Sequence, residues 1–121
     1  MTDATHAPTP GAAERLAALH ARLRTRLREV EQAALPLWPV TFMHWRGPGD
    51  DFAIRWIVGE GFRLNRATLG DATPAHLVRL ARELPRVVAQ ATHAIESEVR
   101  RVEDACREAE DVLAILRAVQ P

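Results

Sequence analysis

The feature that most constrains this chain is its last third, where apolar residues recur at helical spacing from Thr73 to Val119. Leu77, Leu80, Leu84, Val88, Ala91, Ile95, Val102, Cys106, Ala109, Leu113 and Leu116 follow at steps of three and four, with one seven-residue step. That pattern is one stripe on a helix. From Arg86 to Val119 such a helix runs roughly 50 Å at 1.5 Å per residue. A compact body of 121 residues spans only about 35 Å. One end should therefore project, and a projecting apolar stripe needs a partner. Leu84, Val88, Ile95, Val102, Ala109, Leu113 and Leu116 are the expected association residues, and a homodimer is the expected assembly.

The rest of the chain supplies the body. Residues 1–9 are small, polar and proline-containing, and read as a disordered tail ahead of a single domain, 10–121. Thr9-Pro10 looks like a cap with proline in the first turn. Leu16, Leu19, Leu23, Leu27, Val30 and Ala34 then mark a helix over 10–35, which Pro36 ends. Glu29 and Glu31 sit at the end of this helix that disfavours acids, so a partner's cations are expected to hold them. The period next changes to two. Alternation over 38–45, 52–58 and 62–66, broken by Gly47-Pro48-Gly49-Asp50 and Gly59-Glu60-Gly61, predicts a three-stranded antiparallel meander. Thr73-Pro74 repeats the cap-plus-proline signature and opens a helix over 74–119. Pro85 removes one hydrogen bond from it. The stripe keeps its phase across that proline, which favours a kink over a break. The fold class is thus α+β: helix, three strands, long helix.

Composition narrows the function. Net charge is zero, so no global field draws the protein to nucleic acid or acidic lipid. Its distribution is uneven: residues 10–35 carry five Arg against three acids, and residues 96–121 four Arg against seven acids. All 16 basic residues are arginine, whose guanidinium forks suit carboxylates, phosphates and indoles alike. No apolar run approaches the length of a membrane span. The N-terminus lacks the basic and apolar regions of a signal peptide, and one cysteine fits a reducing compartment. The expected location is the cytoplasm.

Chemistry-bearing motifs are sparse. Cys106 lies within the apolar stripe, which predicts a buried, inert thiol. The five histidines lack metal-ligand spacing, and His44, inside a strand, reads as a satisfied structural histidine. The glycine pairs have neither Walker spacing nor a following lysine. No catalytic, metal or cofactor residue is assigned, and no cofactor is expected. Two surfaces stand out. Trp45, Arg46, Arg55 and Arg63 fall on or beside the sheet and could present a binding face to a protein client. Strand alternation places Trp38, Val40, Phe42, Ile54 and Trp56 on the opposite face, toward the helices. Arginine beside aromatics on a sheet is also how single-stranded nucleic acid is held, and Arg15, Arg22 and Arg26 on the first helix could lie along a phosphate backbone. The favoured reading is a self-associating adaptor, with nucleic-acid binding or regulation as the alternative.

Overall fold

Two helices clasp one face of a small sheet, and the order of elements follows the hydrophobic periods. The computed structural model describes residues 11–120; the tail 1–9 and the Thr9-Pro10 cap lie outside the described residues. Helix α1 spans Ala12–Ala34, β1 Phe42–His44, β2 Ile54–Ile57, β3 Gly61–Leu64, and α2 Pro74–Ala118. The architecture is α+β. The sheet is an antiparallel meander in the order β1-β2-β3, with α2 packed against β1, α1 against β3, and the helices against each other.

Each element has a local cause. Gly11, at φ 85°, turns the chain into α1, a backbone region costly for residues with a Cβ. Thr73 caps α2 by accepting the His76 amide at 3.2 Å, with Pro74 in its first turn. Pro85 lies inside α2 without ending it, and the helix is assigned unbroken from Pro74 to Ala118. The strands are shorter than their alternation suggests. Trp38 is still in the turn after α1, its amide donating to Ala34 O at 2.8 Å, and Pro39 then offers no amide to a ladder. The amides of Phe52 and Ala53 bond to the side chains of Asp50 and Asn65. Asn65 itself, at φ 56°, bends the chain out of β3.

Register puts Phe42, Trp56 and Phe62 in one row and His44, Ile54 and Leu64 in another, all facing the helices. Phe42, Ile54, Trp56, Phe62 and Leu64 are buried with Leu27, Leu77, Leu80, Val87 and Ala91. Trp38 roofs this core edge-on, its ring centroid 4.9 Å from Trp56 and 5.8 Å from Phe42, the arrangement aromatic quadrupoles favour. The Trp56 indole donates to Trp38 O at 3.0 Å, so its polar edge is satisfied.

Glu31 holds α1 to the sheet from within the chain. Its carboxylate accepts the Phe62 amide at 2.8 Å, where a partner's cation was expected. Gly61 makes this approach possible: at φ 107°, a Cβ there would come within 2.3 Å of Glu31 Oε2.

Candidate functional site

The densest polar constellation joins β1 to α2. Glu83 sits at a core-facing position between Leu80 and Val87 and is only 5 % exposed. His44 Nε2 lies 3.2 Å from Oε2, Arg86 Nη1 3.3 Å from the same oxygen, and Arg46 Nη1 3.4 Å from Oε1. Burial pushes the Glu83 carboxyl up, but the hydrogen bonds from His44 and Arg86 and the nearby Arg46 charge outweigh it, leaving it below the usual glutamate range. One turn away Arg79 pairs with Asp50 and lies over the Phe52 ring, 4.7 Å from its centroid. The Arg79 hydrogen bond, with that of the Phe52 amide, holds the Asp50 carboxyl low. A cleft of about 290 Å³ opens beside the cluster, lined by Arg46, Val78, Arg79, Arg82 and Glu83. Two of its three guanidinia are already committed to carboxylates. An ionised carboxylate surrounded by donors has no proton to give near neutrality, so the cluster works as a clamp between β1 and α2.

The sheet's open face carries Met43, Arg55 and Arg63 in one register row. Trp45 lies just past β1, 49 % exposed, with its indole donating to Asp50 O at 2.6 Å inside its own hairpin loop. Arg63 is tied to Glu60 and to its own strand, and Arg46 turns to Glu83. Trp45, Arg46, Arg55 and Arg63 are therefore not gathered into one stacking platform. On α1, Arg26 pairs with Glu29 at 2.9 Å. Arg24 donates to the carbonyls of Leu69 and Ala72, which anchors α1 to the turn before α2. Arg15 and Arg22 are exposed and pair with no carboxylate among the described residues.

The second constellation is apolar. Every residue from Val99 to Gln120 is exposed. The part of α2 after Glu103, residues 104–118, thus projects about 22 Å at 1.5 Å per residue. Leu84 and Ile95 are half-buried where the stripe leaves the body, while Val88, Val102, Ala109, Leu113 and Leu116 are exposed. Cys106 is exposed, contrary to the buried thiol its position in the stripe suggested, because the body ends before that turn of the helix. The core-facing line is Leu77, Leu80, Glu83, Val87 and Ala91, which puts Val87 inside and Val88 outside.

Two residues escaped the sequence reading. Val99 fills the seven-residue step between Ile95 and Val102, and its spacing of four and three from them was the available signal. Val112 broadens the stripe beside Leu113. Together with Pro39 and Val40, residues Ile95, Val99 and Val102 line an apolar groove of about 350 Å³, rimmed by Glu98 and Glu103. A second depression of about 480 Å³ follows along Ala105, Ala109, Val112, Leu113 and Leu116, with Glu108 at its edge.

No three His, Cys, Asp or Glu side chains among the described residues come together as a metal site requires. No described helix is long and apolar enough to cross a membrane. No family model, curated protein or solved structure matches this chain.

Proposed function

We propose that this protein is a small, non-enzymatic, self-associating adaptor or assembly module that works in the cytoplasm. In this reading the projecting part of α2 is the association surface, and the open sheet face, with Met43, Arg55 and Arg63 and with Trp45 at its loop edge, is left for a protein client. The observation that carries the reading is the projecting stripe itself. Val99, Val102, Val112, Leu113, Leu116 and Val119 are 44–74 % exposed on one helix end. Single exposed apolar residues are ordinary, but a contiguous apolar strip marks an interaction surface. A lone helix of this length is also only marginally stable in water, so a partner would supply the packing it lacks.

The test is mass by light scattering at tens of micromolar. The expected value is twice the chain mass of 13.5 kDa. Leu113→Glu should shift it to the monomer, since a charge buried without a partner costs several kcal/mol. A monomeric parent protein with a cooperative fold overturns the proposal.

A further inference from the structure

The geometry points to a specific occupant for the projecting end of α2: the same end of α2 from a second copy of this chain, laid antiparallel about a two-fold axis near Asp111. This rests on the self-association proposed above and adds the direction and register of the contact.

Direction follows from where the stripe faces. Leu113 comes 36 residues after Leu77, and Leu116 comes 36 after Leu80, ten turns at about 3.6 residues per turn. The projecting stripe therefore continues the line on which α2 packs into the body. A parallel α2 seated on it would run on into space the sheet already fills. An antiparallel one enters from the free end, stops at the groove beside Pro39 and Val40, and leaves the two bodies at opposite ends. The first helix of a second copy closes no such pair. Arg24 bonds to the carbonyls of Leu69 and Ala72, just before α2 begins, while Glu31 reaches β3 farther along. Both helices thus run the same way, with their free ends at opposite ends of the body. Contacts of α1 on α2 would string copies into an open chain.

Register follows from size and charge. Past Glu103 the stripe positions are Cys106, Ala109, Leu113 and Leu116. Centred near Asp111, the antiparallel pair sets Leu113 on the partner's Ala109 and Leu116 on the partner's Cys106, large on small in every layer. The partner's leucines then fill the depression of about 480 Å³ along Ala105, Ala109 and Val112. Antiparallel packing brings like flanks together. On one flank Val112 meets the partner's Val112. On the other, Glu103, Glu110 and Arg117 follow at seven-residue steps. Glu103 there meets the partner's Arg117, twice by symmetry, against a single like-charge contact of Glu110 with the partner's Glu110. A shift of seven residues toward the bodies would set Glu103 against the partner's Glu110 twice, and like charges across an interface are penalised. The same shift outward would leave Cys106 uncovered.

A charge swap within one chain tests this. Glu103→Arg and Arg117→Glu should each weaken dimerisation about tenfold in light scattering over a concentration series, because each turns two attractive contacts into repulsive ones. Combined in one chain, they should restore the parent affinity. Both side chains are exposed and make no ion pair among the described residues, so circular dichroism should match the parent. Cross-linking reads the register without touching charge. The two Cys106 thiols lie ten residues apart along the paired helices, about 15 Å, beyond the reach of a short bismaleimide, so the parent should stay unlinked. Val112→Cys with Cys106→Ser should be linked into a dimer by the same reagent. A parent dimer whose double charge variant stays as weak as the single ones, whose Cys106 thiols are readily linked, or whose Val112→Cys variant is not, overturns this arrangement and leaves self-association standing. A monomeric parent overturns both.

Discussion

At the scale of single residues, Glu83 shows how one charge can be set into an apolar stripe. Because its carboxylate only accepts, His44 must present an Nε2 proton to it. The exposed heads of Arg46 and Arg86 can return to water at little cost, whereas the largely buried imidazole cannot. Glu83→Leu would extend the stripe but leave His44 without its acceptor, so unfolding in urea should show a loss of about 1–3 kcal/mol. Glu83→Gln keeps an acceptor oxygen and should lose less. The pH dependence has a definite sign. The folded carboxyl lies below its ordinary range, so its contribution is present above that range and is lost as pH falls through the folded value. Glu83→Gln should therefore flatten the decline of stability on acidification. A Leu variant as stable as the parent, with an unchanged acid profile, would remove the clamp from the account. Of this, only His44 as a satisfied structural histidine was legible in the sequence. Viewed along one helix, a glutamate beside Leu84 reads as a solvated flank, and its key partner, His44, is 39 residues away.

At the scale of elements, α2 has two regimes. As far as Ala94 its apolar side chains pack on the sheet and α1. Past the groove it shares with Pro39 and Val40, α2 is held by its own backbone hydrogen bonds, helped by exposed pairs such as Arg107 with Asp104. Such exposed pairs are screened by water and contribute little, too little to hold so exposed a helix end. Amide exchange should accordingly be fast over residues 99–118 at low protein concentration, and should slow as concentration rises and the stripe is covered. Protection that is high and independent of concentration would mean that the end is stable alone. The two periods, 3.6 and 2, were enough to read the order of elements and the existence of the stripe. They could not show where the body stops, which is why Cys106 read as buried. They also overran the strands, whose ends are set by Pro39 and by the side chains of Asp50 and Asn65 capturing backbone amides. On the sheet, alternation correctly separated Arg55 and Arg63 from Trp56, but the indole of Trp45 is held by its own loop.

At the scale of the whole molecule, the two readings separate by their response to salt. The protein has no net charge, and several arginines near the candidate surfaces have other duties. Arg24 anchors α1, Arg26 meets Glu29, Arg46 meets Glu83 and Arg63 meets Glu60. In the proposed dimer the apolar stripe supplies most of the affinity, and ion pairs at its flanks add the rest. Exposed ion pairs contribute about 0–1 kcal/mol each and are screened by salt. Their loss at molar salt should weaken dimerisation without abolishing it. Phosphate binding behaves differently: Arg15, Arg22 and Arg28 neutralising three phosphates of a single strand would give a log–log salt slope of about −2. The decisive measurement titrates a fluorescent single-stranded oligonucleotide with the protein at low salt, beside a salt series of the dimer mass. The expected result is a dimer that survives molar salt and an oligonucleotide that stays free. Tight oligonucleotide binding that collapses steeply with salt, and weakens when Arg15 and Arg22 are replaced, would assign the basic half of α1 to a nucleic acid and overturn the adaptor reading.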